Sequence, residues 1–494
     1  MSSSGKNGQT KPPPTGGIVS GFVRGVAANR VSLIGAVVSL GLFPILTIYP
    51  ILDNLGVVDE PRLHFIIYGA LTWIFIAALL MVFLGLYVLR NKRAAPLFFA
   101  DEFIEHLLDP QRFGGIRRVI LFVTFLTVVN IGVIAVSAYN GFRYSESADF
   151  CARLCHEVMT PEYTSYQNSP HSRVECVECH IGSGATWFMR SKLSGIKQLA
   201  AVVWDTYSKP IGTPIHGLRP ARETCQECHR PELFHGERLK VIDRFLEDEG
   251  NTHVQTVMLM KVGSGDYRGL QAQGSHWHVA SKKNITYEHT DRERLDVTVV
   301  RIAGDDGVER VYTRKGLDGG GEGEGGSTRE MDCLDCHNRP THIYLGPSEA
   351  LDYKLLTGEI PGKLPYIKKQ GLRVVTAEYA SREEAVGSIS RGLRTWYADN
   401  YPEIAEKKSS LIAKAVEGVT RAYTENVFPE MNIGYGTYRI NLGHRDGGGC
   451  FRCHDDSHRT AGGRAIPQDC DLCHIIIAEE EPVRDLAATL EESK

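Results

Sequence analysis

The sequence predicts three N-terminal transmembrane helices followed by a mainly α-helical and irregular domain with a small β insertion. Three apolar stretches near the N-terminus have about the 20 residues that cross a bilayer. Residues 1–142 of the 494 hold 11 Lys and Arg against 7 Asp and Glu, whereas residues 143–494 hold 44 against 52. All twelve cysteines lie in this acidic second part. The 43% hydrophobic and 23% charged content excludes a collagen, a coiled coil or a mainly disordered chain.

The N-terminal part predicts a tail and a membrane anchor. Residues 1–30 are polar and rich in Gly and Pro, which is typical of a disordered tail. The anchor covers residues 31–142, with spans at 31–52, 65–89 and 119–138. Pro44 and Pro50 predict that the first span is kinked or partly re-entrant. The absence of any charge from residues 66 to 89 disfavours a buried hairpin of a soluble domain.

The distribution of positive charge predicts the orientation. Four Lys and Arg lie in the tail, one in the first loop and six in the loop 90–118. Positive loops stay in the cytoplasm, so the tail and the basic loop 90–118 are expected inside. The third helix then exits outward, and everything after about Asn140 is expected in the periplasm of a bacterium, anchored to the inner (cytoplasmic) membrane. We find no small-residue cleavage site typical of a signal peptide.

Ten of the twelve cysteines form five Cys-x-x-Cys-His motifs, the spacing typical of covalent c-type haem attachment. Two thiols at this spacing reach the two vinyl groups of a porphyrin, and the adjacent His turns its imidazole onto the iron. A zinc site needs no His directly after the second Cys, so zinc is the weaker interpretation. The motifs contribute Cys176, Cys179 and His180; Cys225, Cys228 and His229; Cys333, Cys336 and His337; Cys450, Cys453 and His454; and Cys470, Cys473 and His474.

The remaining two cysteines lie in CARLCH, which has one extra residue between them. Cys151 and Cys155 precede His156, which is in register with the other attachment histidines. A disulfide between the two thiols is the alternative. We expect a haem here, and therefore six covalent c-type haems in a periplasmic multihaem cytochrome c domain.

Second axial ligands come from histidines outside the motifs. Ten such histidines lie in the outer part, enough for bis-His coordination of most of the irons, and bis-His haems suit electron transfer rather than substrate binding. We expect ligands at His171, His216, His276, His342 and His444. For His235, His253, His289 and His458 a surface or propionate-bonding role competes equally.

The outer domain divides by pattern into three regions. Residues 143–260 are expected to form loops and short helices around haems 1–3. Residues 261–330 predict the β insertion, with alternating strands between 284 and 314 joined across the turn signal DDG, and then a Gly-rich linker. Residues 331–494 carry haems 4–6 together with helices predicted at 378–400 and 403–426.

The motif region resembles a known family. The run CARLCHEVMTPEYTSYQNSPHSRVECVECHIG, directly after a predicted membrane helix, resembles the NapC/NirT family of membrane-anchored multihaem quinol dehydrogenases. The stretches TPIHGLRPARETCQECHRPELFHGERL, MDCLDCHNRPTHIY and GCFRCHDDSH resemble its larger ImcH-like inner-membrane cytochromes. This resemblance implies that menaquinol electrons enter haems at the outer membrane surface and pass to periplasmic partners. It also implies a Met ligand for the first haem, although Met159 lies three residues after His156 where family members have Met two residues after.

A quinol pocket is expected where the first haem meets the membrane. Quinol oxidation releases two protons, so a titratable group should lie beside the substrate. Residues 187–205 predict an amphipathic helix at the membrane surface, with a helix packed inside the domain as the alternative. By resemblance we expect Lys192, and with less weight Asp205 and Glu157, to line the pocket.

Three functions compete on the sequence alone. A menaquinol-oxidising conduit to periplasmic carriers is favoured, and the same conduit run in reverse would reduce quinone. A periplasmic terminal reductase of a small oxyanion with one open haem, and a redox sensor, are the alternatives. Because haem propionates would add to the acidic outer part, basic periplasmic c-type cytochromes or a terminal reductase are the expected partners, and nucleic acid is excluded.

Overall fold

The computed structural model describes residues 23, 25–58, 60–88, 113–154, 156–182, 184–215, 219–264, 274–279, 284–303, 307–316, 327–444 and 448–486. The predicted tail up to residue 22 and most of the basic loop 90–118 lie outside these residues. The chain forms two compact units, residues 1–154 and residues 155–494.

The described part of the first unit contains three helices that are long and apolar enough to cross a membrane, which confirms the three predicted spans. Helix α1 runs without a break through Pro44 and Pro50, so the partly re-entrant alternative is wrong, whereas a kink at these prolines stays a prediction. The second span is built from two α-helices separated by a π-helical segment. The bounds are α1 Arg30–Asn54, α2 Pro61–His64, the π-helix Phe65–Leu71, α3 Thr72–Tyr87 and α4 Phe113–Glu146.

Helices α1 and α3 pack closely through glycine. A Cβ atom added to Gly85 would lie 2.6 Å from the Cβ atom of Ser32, and one added to Gly35 would lie 2.5 Å from the carbonyl oxygen of Ala78. Both distances are too short for any side chain larger than hydrogen. Small residues that let backbones approach are a common basis of helix association in membranes.

The described residues of the second unit form two antiparallel sheets. The strand order is β1–β2–β8 in the smaller sheet and β6–β3–β4–β5–β7 in the larger one. The strands are β1 Glu237–Phe245, β2 His253–Lys261, β3 Ile285–His289, β4 Val297–Ala303, β5 Glu309–Arg314, β6 Ser327–Glu330, β7 His458–Arg459 and β8 His474–Pro482.

Strands β3, β4 and β5 occupy the residues where alternation predicts strands. Two other expectations were wrong. The region 143–260 was expected to hold loops and short helices, yet β1 and most of β2 lie there, because β2 pairs with β1 on one side and, on the other, with β8 near the C-terminal end of the chain. The Gly-rich segment was expected to be linker to its end, but its last residues form β6 against β3.

The helices of the second unit enclose its largest apolar core. Leu351, Ile389, Leu393 and Val419 are fully buried there, on helices α10, α12 and α14. Of these, α12 and α14 lie in the two stretches where periodicity predicted helices. The bounds are α5 His156–Gln167, α6 Cys176–His180, α7 Ala185–Val203, α8 Ala221–Cys225, α9 Cys333–Cys336, α10 Pro347–Leu356, α11 Ile367–Val375, α12 Arg382–Asn400, α13 Pro402–Lys407 and α14 Ser409–Thr424.

Candidate functional site

Each of the five Cys-x-x-Cys-His motifs lies on a single helical turn. With CARLCH counted as the first motif, the second motif is α6 itself. The third and fourth motifs begin on α8 and α9, and the fifth and sixth lie on 3₁₀ turns at Gly449–Arg452 and Cys470–Leu472. Residues three apart on a helical turn share one face, so both thiols of a motif project to the same side. The backbone N–H of His229, His337 and His454 donates to the carbonyl of the first cysteine in the same motif, at 2.8, 2.8 and 3.0 Å.

Every attachment histidine of these five motifs faces a second histidine from elsewhere in the chain. The separations between the ring centroids fall within half an ångström of one another, although the two histidines of each pair come from separate segments of the sequence. The pairs are His180 with His342 at 6.2 Å, His229 with His171 at 6.1 Å, His337 with His276 at 6.3 Å, His454 with His278 at 5.9 Å and His474 with His444 at 6.2 Å.

This spacing fits a haem iron between two imidazoles. A His nitrogen binds a transition metal at about 2 Å, and the ring centre lies about 1 Å beyond that nitrogen, so two axial imidazoles have centres about 6 Å apart. Two thiols on one face beside each pair complete the donor set of a c-type haem. In addition, the Nδ1 atom of His474 is buried without a hydrogen-bond partner among the described residues.

Hydrogen bonds set the tautomer of the second histidines. The Nδ1 atoms of His171, His276 and His278 lie 3.1, 2.7 and 2.9 Å from the carbonyl oxygens of Pro340, Val262 and Ser275. A carbonyl only accepts, so Nδ1 carries the hydrogen and the lone pair remains on Nε2. An imidazole oriented by a carbonyl through its other nitrogen is the usual arrangement of a metal-binding histidine.

The His342 ring is held in the same way. Its Nδ1 lies 3.0 Å from the Glu162 carbonyl oxygen and 3.1 Å from the Glu162 carboxylate. Both groups accept hydrogen bonds, so Nε2 is again left for a metal.

The pKa values of the paired histidines favour the neutral form. Desolvation by the surrounding chain lowers the pKa of His278, and the nearby His454 lowers it further. Desolvation likewise lowers the pKa of His180 and His337, each with a contribution from its own partner ring. A metal-binding imidazole has to be neutral, so these surroundings suit an axial ligand.

The five motifs also follow one another in space in chain order. The thiol of Cys225 in the third motif hydrogen-bonds to that of Cys333 in the fourth. Burial raises the pKa of Cys179, Cys336 and Cys473, and a thiol of a neighbouring motif raises it further: Cys228 for Cys179, and Cys450 for both Cys336 and Cys473. The second to sixth motifs therefore form a continuous series.

The residues of the first motif are only partly described. Cys151 lies in a π-helical turn, Asp149–Arg153, at the end of the first unit. Cys155 lies outside the described residues, as do the side chains of His156 and Glu157. Met159 packs against an apolar cluster that includes Val158 and Tyr344.

Among the histidines expected as ligands, His216 lies outside the described residues. His278 was not among those favoured from the sequence, yet it faces His454. The signal was the HWH spacing, which puts His276 and His278 on one 3₁₀ turn, Ser275–Val279.

The four histidines for which another role competed have local partners. His253 lies 2.7 Å from the Asp243 carboxylate, and His458 lies 2.9 Å from that of Asp455. His235 and His289 bond to backbone carbonyls two residues away in sequence, and His289 also bonds to Ser327.

The expected quinol-pocket residues have local contacts as well. The Lys192 ammonium lies 4.9 Å from the centre of the Phe188 ring, and Asp205 forms an exposed ion pair with Lys209 at 3.1 Å. Both residues lie on or just after helix α7, whose apolar side chains Leu193, Ile196 and Val203 are at least 60% exposed.

Comparison with known proteins identifies the family. Residues 116–211 match the model of the NapC/NirT cytochrome c family, N-terminal region. The chain is 38% identical over 460 residues to the cytochrome c-type protein ImcH of Geobacter sulfurreducens, covering 92% of this chain and 88% of that protein. This chain belongs to the NapC/NirT cytochrome c family. A second member, the cytochrome c-type protein NrfH of Wolinella succinogenes, is 30% identical over 110 residues, which are 22% of this chain and 62% of NrfH. No solved structure matches the chain.

Membership of the NapC/NirT family explains the membrane helices of the first unit and the cysteine motifs of the second. A NapC/NirT cytochrome combines apolar membrane helices with covalently attached haem in electron transport, and the three spans and repeated cysteine motifs of this chain are those features. The matched region 116–211 contains helix α4, the CARLCH segment, the second motif and helix α7.

Proposed function

We propose that this cytochrome oxidises menaquinol at the bacterial inner membrane and passes the electrons through six covalent haems to periplasmic electron carriers. The observation that carries the proposal is the set of five histidine pairs. Each pair supplies two axial imidazoles, and iron closed on both faces suits electron transfer.

The residues proposed to hold the haems follow from the pairs. Each motif contributes two thioether cysteines and one axial histidine, and the second axial ligands are His342, His171, His276, His278 and His444 for the second to sixth motifs. Bound haem supplies reversible one-electron oxidation and reduction of its iron. Cys151, Cys155 and His156 are proposed for the first haem, with Met159 as its second ligand by resemblance to the family. Because the described motifs adjoin in chain order, we propose the same order for electron transfer.

Helix α7 is proposed to lie on the outer membrane surface. Its exposed apolar side chains and the Trp204 ring at its end are typical of an interfacial helix. A helix packed inside the domain would bury that face. On this basis Lys192, with Asp205 and Glu157, is proposed to line a quinol pocket at the membrane surface.

The proposed partners are basic periplasmic c-type cytochromes or a terminal reductase. Residues 143–494 have 52 acidic against 44 basic side chains, and a surface of that sign attracts partners of opposite charge.

A single experiment tests the proposal. The oxidised holoprotein in detergent is mixed anaerobically with menadiol, a menaquinol analogue, and the reduced-haem absorption band is followed by stopped flow. We expect rapid reduction of most haems. Reduction by dithionite but not by menadiol would refute quinol oxidation and favour entry of electrons from the periplasm, as in a quinone-reducing conduit. Turnover of a small oxyanion with a high-spin haem would favour the terminal reductase.

A further inference from the structure

Five polar and aromatic side chains meet at one end of the three-helix anchor. Asp53 lies in the last turn of α1, His64 ends α2, Tyr68 lies in the π-helical segment and Tyr144 lies in the last turn of α4. Tyr49 joins them from α1, one turn before Asp53. Ionisable side chains within membrane spans are costly and mark functional sites, and π-helical segments inside α-helices occur frequently at such sites.

Asp53 and His64 form a close pair. His64 Nε2 lies 2.8 Å from Asp53 Oδ1, and His64 Nδ1 lies 2.9 Å from the carbonyl oxygen of Glu60. Since that carbonyl only accepts, Nδ1 carries the hydrogen of that bond, and Nε2 faces the Asp53 carboxylate. The Tyr68 hydroxyl donates to Asp53 Oδ2 at 2.6 Å. Each carboxylate oxygen keeps a second lone pair, and the Asp53 side chain is 26% exposed.

Aromatic rings surround the pair. The Tyr49 ring lies 5.7 Å from His64 and 5.4 Å from Tyr68, and the Tyr144 ring stacks on His64 at 5.2 Å. Tyr49 is only 7% exposed, and its hydroxyl is buried without a hydrogen-bond partner among the described residues. A buried hydroxyl without a partner is costly, so a polar group of a bound molecule is the natural partner for it.

The cluster also adjoins the first haem-attachment cysteine. The Tyr144 ring contacts Phe150 at 5.5 Å, and Phe150 directly precedes Cys151. His64, Tyr144 and Phe150 thus form a continuous row of ring contacts that leads to the proposed position of the first haem.

We propose that the Asp53–His64 pair is the proton-accepting site for the quinol, an inference that rests on the proposed menaquinol oxidation. A quinol hydroxyl donates to the Asp53 carboxylate, and His64 is a positioning residue that holds this carboxylate through Nε2. Tyr49 and Tyr144 contact the flat quinol ring system, whose chemistry suits an aromatic surround.

The oxidation of one quinol requires the Asp53–His64 pair to accept and release two protons in succession. Quinol loses two protons and two electrons and becomes quinone. One proton at a time is transferred to the Asp53 carboxylate and released to water on the outer side. The c-type haems that the cysteine motifs would hold would act as the oxidant and would accept the two electrons one at a time. The charged groups around the pair are Glu60, Asp149 and Arg153, and the other titratable groups are the three tyrosines.

The test uses the full-length holoprotein in lipid nanodiscs. Asp53→Asn is expected to slow reduction by menadiol about 100-fold, the usual contribution of a positioned base. Glu146→Gln, an acid-to-amide change at the same end of the anchor, is the matched control. Reduction by dithionite and the equilibrium haem potentials are expected to stay unchanged in both.

Tyr68→Phe keeps the ring and removes the hydrogen bond from its hydroxyl to Asp53. This milder variant tests the proposal if Asp53→Asn fails to incorporate haem. Without that bond the carboxylate loses one of the two groups that orient it, and reduction by menadiol is expected to slow, by less than in Asp53→Asn. His64→Gln is expected to weaken binding of the quinol-site inhibitor 2-heptyl-4-hydroxyquinoline N-oxide, measured by quenching of its fluorescence.

The possible results distinguish failure of the Asp53–His64 proposal from failure of the proposed quinol oxidation. If menadiol reduces the parent and Asp53→Asn equally fast, the pair is not the proton acceptor although quinol oxidation stands. If menadiol does not reduce the parent whereas dithionite does, the proposed function itself fails.

Discussion

His276 and His278 lie two residues apart on one 3₁₀ turn but face attachment histidines of different motifs, His337 and His454. One turn thereby contributes to two neighbouring proposed haem sites, and a change at either histidine is expected to affect one of them directly. Single substitutions at these histidines therefore test the proposed ligand set one site at a time.

Replacing His278 with Ala removes the imidazole that we propose as the second axial ligand at the fifth motif. We expect one haem to change from low spin to high spin, with loss of roughly one sixth of the ferric low-spin signal in electron paramagnetic resonance. His253→Ala is the matched control, because His253 pairs with Asp243 and stacks on Phe245. An unchanged spectrum in His278→Ala would remove His278 from the ligand set.

Lys368 and Asp352 form a buried ion pair. The Lys368 ammonium is 2.5 Å from Asp352, and its side chain is 1% exposed. Asp352→Ala leaves this charge without its partner, so we expect a loss of about 3–5 kcal/mol in stability. Denaturant unfolding followed by tryptophan fluorescence measures it. Lys407→Ala, in an exposed pair with Glu403, is expected to change stability by less than about 1 kcal/mol.

At the scale of elements, membrane helices and Cys-x-x-Cys-His motifs could be predicted because their signals are local. Apolar length alone predicts the spans, and five identical spacings predict attachment. Strands β1 and β2 also carry the required alternation, but their third partner β8 follows the last haem motif, far along the chain. The partner of each attachment histidine is equally non-local: His171 precedes the second motif, yet it faces His229 of the third. Such pairings depend on tertiary contacts that periodicity does not encode.

The close packing of α1 against α3 leads to a prediction for the anchor. Gly85→Leu would force a side chain into Ser32, where a Cβ atom already lies at 2.6 Å. We expect destabilisation of about 1–3 kcal/mol and a lower temperature of unfolding in detergent. Gly132→Leu on α4 is the control, because a Cβ atom there meets nothing within 4 Å. Equal unfolding temperatures for the two variants would contradict the packing of α1 on α3.

Across the whole molecule, the membrane helices and the cysteine motifs lie in parts of the chain with opposite net charge. The basic excess lies before the first cysteine motif, and the acidic excess lies in the part that carries the cysteines. A basic part is expected to face the cytoplasm and to orient the anchor in the membrane. The acidic part, proposed to lie outside, would attract basic soluble partners, and haem propionates would add about two negative charges per haem where they are ionised and unpaired.

This charge predicts how electron transfer to a partner depends on salt. The Debye length falls from about 30 Å at 0.01 M to about 10 Å at 0.1 M ionic strength, so attraction between the acidic outer part and a Lys-rich c-type cytochrome weakens over that range. We expect the second-order rate of cytochrome reduction to fall at least several-fold, because electrostatic steering raises association rates by about 10–10³. Reduction of the same protein by uncharged menadiol is the internal control and should stay nearly constant. A cytochrome rate that is independent of salt would mean that recognition rests on apolar contact, and the preference for basic partners would then have no physical basis.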